Sequence, residues 1–360
     1  MARKLGGYPF EPDYAVPPGE TLSETIAELG MTQKDLARRA GLTEQSITRI
    51  INGRQPITVE TAIRLEKVTG VPARLWNSLE SGYQEQLAKI RERERLGQEL
   101  EWLDSVPVKE LIKRKAVPAT KDKSELLGHV LRFYGVSSVA AWHAEVDVQK
   151  AAARKPQALG SDPGAVTAWL RLGELQAREI RCQPYDPERF RAALQCVRSL
   201  TVEEPKVFIP KVRELCASAG VAFCLVPEMR GCRWYAATQW LTPTKSMILL
   251  CLRGKREDHF WFSFFHEAGH VLLDGKKEVY LSDGRTDHAS EDRANAFAQD
   301  FLIPSAHQSR LSALRTVAEV RAFARELGIS PGIVVGQYQR VTQNWTHFNG
   351  LRRRFEWQEN

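Results

Sequence analysis

Nothing in these 360 residues resembles a long hydrophobic run. The apolar stretches stop at about six residues, as in Met247–Leu252, whereas a membrane helix needs roughly 20. The basic N-terminus, Met1–Phe10, has no apolar signal core, so no membrane association and a cytoplasmic location are expected. The six cysteines (182, 196, 216, 224, 232 and 251) include no Cys-x-x-Cys pair. That argues against a zinc ribbon or a thioredoxin-type motif and is consistent with free thiols. Charge of one sign is not strongly in excess either: 51 bases against 44 acids give +7, which permits nucleic-acid binding without establishing it. With 43% hydrophobic and 26% charged residues the chain is neither disordered nor collagen-like, and its length predicts two or three domains.

Glycine and proline punctuate the pattern. Residues 1–16 read as a flexible arm with Pro9 and Pro12. From 17 to 99 short amphipathic segments end at Gly30, Gly41, Gly53 and Gly70, and a long helix follows from Pro72. Residues 100–205 read as a helical connector whose aromatics, Phe133, Tyr134, Trp142 and Trp169, are expected in a core. After Pro205 a helix precedes three strand-like runs, Val221–Val226, Arg233–Leu241 and Met247–Leu252, parted by turn residues. Helices then resume at Arg256. The expected fold is mainly α with a small α+β part containing a short antiparallel sheet.

Residues 31–54 follow helix-turn-helix logic. Thr32 can cap the first helix, Gly41 makes the turn, and Thr43 caps the second. Ile47, Ile50 and Ile51 face inward. Gln45, Ser46, Thr48 and Arg49 are left for base edges, with Thr43 and Gln33 at the two helix starts as further candidate contacts. Between 31 and 75 there are eight bases against four acids, a local +4 out of the total +7. These residues resemble the XRE-type repressor fold. More narrowly they are similar to HigA-type antitoxins in Pro18-Gly-Glu-Thr-Leu22, Asn52-Gly-Arg-Gln-Pro-Ile-Thr58, Thr61-Ala-Ile-Arg-Leu65 and Leu75-Trp-Asn-Ser-Leu79. The resemblance implies double-stranded operator DNA as a partner, read by a homodimer.

A second motif is His266-Glu-Ala-Gly-His270, which puts two imidazoles one helical turn apart, able to share one zinc ion, with Glu267 placed as general base. A third histidine ten positions after the first is missing, because Lys276 stands there, so the metzincin pattern is excluded. The third ligand is expected from the helix that follows: Glu291, with Asp292 and His288 as weaker candidates, and Asn295 one turn on as a hydrogen-bond partner for a ligand histidine. Residues 205–338 resemble the ImmA/IrrE metallopeptidase family in this motif, in Asp258–Phe265, in Trp240-Leu-Thr-Pro243, and in Ala294-Asn-Ala-Phe-Ala298 with Leu302-Ile-Pro304. That implies a gluzincin-like zinc domain over 206–360 that cleaves repressor or antitoxin proteins. The family often has glycine in the strand ahead of its Trp, where this chain has Ala236-Ala237. If that strand accepts substrate backbone, the methyl groups narrow the site.

Cys232 is a candidate thiolate switch on the zinc, and Tyr235, Tyr338 and His347 are candidate oxyanion stabilisers. Near the C-terminus, Phe323–Ser330 echoes Leu36–Thr43 with an offset of 287, but Gln45, Ser46, Thr48 and Arg49 become Gly332, Ile333, Val335 and Gly336. Residues 317–340 are therefore expected to be a structural helix-turn-helix. The expected function is a DNA-binding regulator with a zinc-dependent endopeptidase that cleaves a regulatory protein or itself. The alternatives are a non-catalytic antitoxin or repressor whose zinc fold binds a toxin or senses a ligand, and a DNA-activated metalloprotease.

Overall fold

The computed structural model describes residues 14–152, 161–274, 280–282 and 289–357. Most of the expected N-terminal arm and the candidate ligand His288 lie outside them. The chain forms two compact units, residues 1–100 with 122–127, and residues 101–121 with 128–360. Among the described residues no helix is long and apolar enough to cross a membrane.

The first unit opens with five helices: α1 (Pro18–Glu28), α2 (Gln33–Ala40), α3 (Glu44–Ile51), α4 (Val59–Thr69) and α5 (Ala73–Gly97). Local chemistry sets their ends. Thr32 Oγ1 accepts from the Asp35 amide at 3.1 Å while the Asp35 carboxylate accepts from the Thr32 amide, a capping box that satisfies two donors otherwise left open at a helix start. Gly41 closes α2 at φ 67°, a left-handed conformation that favours glycine, and Thr43 then caps α3 through the Ser46 amide at 3.1 Å. Leu22, Leu36, Ile47, Ile50, Leu65 and Trp76 fill the core between the helices. The buried Glu80 carboxylate accepts from the Ile57 amide at 2.9 Å, holding the α3–α4 connection against α5.

Beyond α5 come α6 (Val108–Lys113), α7 (Lys123–Tyr134), α8 (Val139–Ala152), α9 (Pro163–Glu179), α10 (Pro187–Ser199) and α11 (Pro205–Ser218). The strands β1 (Val221–Leu225), β2 (Ala236–Thr242) and β3 (Lys245–Leu250) follow, then α12 (Glu257–Leu273), β4 (Tyr280–Ser282), α13 (Ala289–Leu302), α14 (Ser305–Gln308), α15 (Val317–Leu327) and α16 (Pro331–Thr342). Phe133, Tyr134, Trp142 and Trp169 are buried as expected, and the Trp102, Tyr134 and Trp142 rings meet edge to face.

The sheet corrects the antiparallel expectation. Its order is β1-β3-β2-β4, with β1 parallel to β3 and β2 antiparallel to both of its neighbours. The cause is the unbroken apolar run Met247–Leu250, which is buried on both faces and so takes an interior position between β1 and β2. Ile248 and Leu250 join the main core, while Leu249 on the other face packs directly on Gly173 of α9. The Ala236–Thr238 stretch of β2 is paired on both sides, with β3 and with β4, so it offers no open edge for substrate backbone.

Helix α12 is buried along most of its length, as a helix apolar nearly all round must be. It lies against the sheet, α13 and α16. Gly269 is the close point with α13: a Cβ there would stand 3.1 Å from the Ala294 Cα. α15 and α16 repeat the local grammar of α2 and α3, with a Thr316–Glu319 capping box and Gly328 at φ 66°. Here, however, the second helix is buried where α3 is exposed. Gly332 and Gly336 let its backbone approach Glu257 and Asp258 so closely that an added Cβ would overlap their side chains.

Candidate functional site

Two surfaces carry the residues singled out by the sequence, one in each unit. On the first, Gln45, Thr48 and Arg49 are exposed along α3, opposite the buried Ile47 and Ile50. Thr43 and Ser46 are engaged in the cap, their hydroxyls 2.9 Å apart. The Thr48 hydroxyl lies 3.0 Å from the Gln33 amide oxygen, which ties the start of α2 to α3 and keeps the Gln33 amide nitrogen turned away from that bond. Arg49 forms no ion pair among the described residues, so its guanidinium remains available.

The second surface is built on α12 and α13. His266 and His270 project from successive turns of α12, and Glu291 faces them from the first turn of α13. All three are buried, and their ligating atoms lie within 4.8 Å of one another. The two Nε2 atoms are 3.1 Å apart, and the Glu291 carboxylate oxygens lie 3.3 Å from His266 Nε2 and 3.5 Å from His270 Nε2. Asp292 is exposed and does not join them.

The outer nitrogens decide what this cluster can hold. His266 Nδ1 is 3.0 Å from the Asn295 amide oxygen, and His270 Nδ1 is 2.7 Å from an Asp274 carboxylate oxygen. Both Nδ1 atoms therefore carry the proton, and both Nε2 lone pairs turn inward together with the Glu291 carboxylate. Lone pairs facing each other in a buried space call for a cation, and two imidazoles with one carboxylate suit zinc. The same field acts on protons: burial works against a charged His270, yet hydrogen bonds to Asp274 and Glu291 and the nearby Glu267 charge pull its pKa up to about 9. Asp274 is itself tied to Arg293 of α13 at 2.6 Å.

Glu267 is fully buried, and the Thr238 hydroxyl on β2 donates to its carboxylate at 2.7 Å. The Phe262 ring stacks on His266 with centroids 6.2 Å apart, and the Arg340 guanidinium sits 5.5 Å from the Phe262 centroid. Asp274, Arg293 and Thr238 were not singled out from sequence. A carboxylate four residues after His270 was the available signal for the first of them.

Four candidate residues find no support in this geometry. Cys232 is buried and absent from the convergent cluster. Its thiol donates to the Trp234 carbonyl, and burial pushes its pKa up to about 11. Tyr338 and His347 are hydrogen-bonded to each other at 3.0 Å, with Tyr338 buried. Tyr235 is half-buried and lines a separate cavity.

Comparison with known proteins agrees with this division. Residues 22–76 match the helix-turn-helix family model, and residues 234–336 match the model of the IrrE N-terminal-like domain. An uncharacterised HTH-type transcriptional regulator of Escherichia coli K12, YddM, is 27% identical over 66 residues, 18% of this chain and 70% of that protein. An antidote protein of a plasmid maintenance system from Nostoc punctiforme is 32% identical over 23% of this chain and 92% of its own, with a TM-score of 0.23. A HigA-family addiction module antidote protein from Coxiella burnetii is 30% identical over 24% and 94%, with a TM-score of 0.22. The chain joins an XRE-type helix-turn-helix domain at its N-terminus to an IrrE-like domain of the M78 peptidase family at its C-terminus.

Proposed function

We propose that the protein is a DNA-binding regulator that carries a zinc endopeptidase. His266, His270 and Glu291 would hold the metal, and Glu267 would act as general base. The observation that carries this reading is the inward convergence of two Nε2 atoms and one carboxylate, each histidine being oriented from behind by Asn295 or Asp274. Bound zinc would supply Lewis-acid polarisation of the scissile carbonyl and of water. The protein's own part is proton transfer. Glu267, oriented by Thr238, takes a proton from the attacking water and delivers it to the leaving nitrogen. The substrate class is a regulatory protein, or this chain itself.

At the N-terminus, α3 would enter the major groove, with Gln45 and Arg49 at base edges and Gln33, Thr43, Ser46 and Thr48 at the edge of the same surface. A homodimer on a two-fold operator is the matching assembly, since a single α3 reads only a half-site.

The decisive experiment compares the zinc-loaded protein with Glu267→Gln, each incubated alone and with the products of neighbouring genes, followed by intact-mass measurement. The variant is expected to keep one zinc per chain and to lose cleavage by about 100-fold or more. Cleavage persisting at the wild-type rate in Glu267→Gln would falsify the catalytic assignment. A wild-type chain that holds no zinc after reconstitution would remove the metal centre.

A further inference from the structure

Beside the metal cluster, and lined by none of His266, Glu267, His270 or Glu291, lies a cavity of about 570 Å³. It is formed by the approach to β2, the turn between β3 and α12, and the outer half of α16. Its size falls within the range of small-molecule sites. Six basic side chains line it, Arg233, Arg352 and the four Arg253, Lys255, Arg256 and Arg340. None of the four forms an ion pair among the described residues. The one carboxylate in the wall, Asp258, is already bound by Arg352 at 3.0 Å. The uncompensated charge in the wall is therefore positive, and a concave low-dielectric surface concentrates such a field on an anion.

Two further features narrow the ligand. Tyr235 and Trp345 also line the cavity, and Trp345 is 57% exposed, which leaves its ring open to a planar ligand. Gln337 is 8% exposed, yet its amide nitrogen has no hydrogen-bond partner. Asp258 Oδ1 and Arg352 Nε in the same wall are likewise without a partner, so the wall holds both donors and an acceptor for a ligand or water to meet. Guanidinium groups fork onto phosphate oxygens, and aromatic faces stack on planar rings. An extended acidic peptide fits less well. Its side-chain carboxylates could meet the same bases, but it offers no planar ring for Trp345, and Ala236–Thr238 of β2, paired on both sides, cannot take its backbone.

We infer that this cavity binds a nucleotide, with its phosphates on Lys255, Arg256 and Arg340 and its base against Trp345. The inference does not rest on proteolysis. Occupancy would reach the metal cluster through Arg340, which lies over Phe262, the ring stacked on His266.

The test is calorimetry on the full-length zinc-loaded chain with ATP, adenosine, pyrophosphate and hexaglutamate. Saturable ATP binding is expected, with adenosine and pyrophosphate each at least about tenfold weaker. Lys255→Met with Arg256→Met should weaken ATP about tenfold or more at unchanged zinc content, and Arg340→Met, on a separate element, serves as the second variant. The assignment is overturned by no saturable ATP binding up to about 1 mM, or by affinity unchanged in both variants. Pyrophosphate binding as tightly as ATP, which marks a plain anion site, or hexaglutamate binding more tightly, which marks an acidic-peptide site, overturns it equally.

Discussion

Asp274 lies one residue beyond the end of α12, yet it sets the tautomer of His270 and anchors Arg293 of the facing helix. Removing such an outer partner usually lowers metal affinity by 10- to 100-fold without deleting a ligand. Asp274→Asn and Asn295→Ala are each expected to weaken zinc binding by about that much in a competitive chelator titration, while Asp292→Asn leaves it unchanged. Equal losses in all three would argue against this division of roles. On the other surface, Arg49→Ala is expected to weaken operator binding by about 1–3 kcal/mol and to relax preference at one base pair, read by fluorescence anisotropy on variant sites.

The residue scale was also the most legible in sequence. The i, i+4 histidines and the glutamate 21 residues later sufficed to name the cluster, because helix geometry converts spacing into direction. Asp274 escaped because a carboxylate just past a helix end reads as a solvated side chain until its partner is known. Cys232 is buried and lies outside the convergent cluster, which its place in the chain does not encode.

Among elements, those with strong local punctuation were readable. Thr32, Gly41 and Thr43 bound α2 and α3 where expected. Strand order was not, since β1 and β3 pair in parallel across nineteen residues of intervening chain and no local pattern encodes that partnership. The repeat of helix-turn-helix grammar in α15 and α16 shows how one local sequence can serve two ends. In α3 the second helix keeps polar side chains in solvent. In α16 glycines replace them, and the helix packs on α12. Gly332→Ala should therefore cost about 1–3 kcal/mol in chemical denaturation, since the added methyl meets the buried Glu257 side chain. The same change at Gly82 of α5, which has open space around it and no left-handed backbone, meets no such collision.

For the whole molecule, the separation into two units predicts how a bound metal acts. Zinc held only by folded α12 and α13 would stabilise that unit by mass action, about 2.7 kcal/mol at a free concentration 100 times the dissociation constant. In calorimetric scans, zinc should raise the transition of the C-terminal unit and leave that of the N-terminal helices in place. A parallel shift of both would show that the units unfold as one. The net charge of +7 acquires meaning at this scale too. More than half of it lies between residues 31 and 75, so salt should weaken DNA binding far more than zinc binding.

The close contact at Gly269 and Ala294, together with the Asp274–Arg293 ion pair, fastens the two ligand-bearing helices to each other directly. These contacts would hold the cluster together even without covalent continuity between the helices. A chain severed once between residues 283 and 288 should behave as a non-covalent complementation pair, co-eluting on sizing and still carrying its metal, much as a hinge keeps two leaves together after the cord between them is cut.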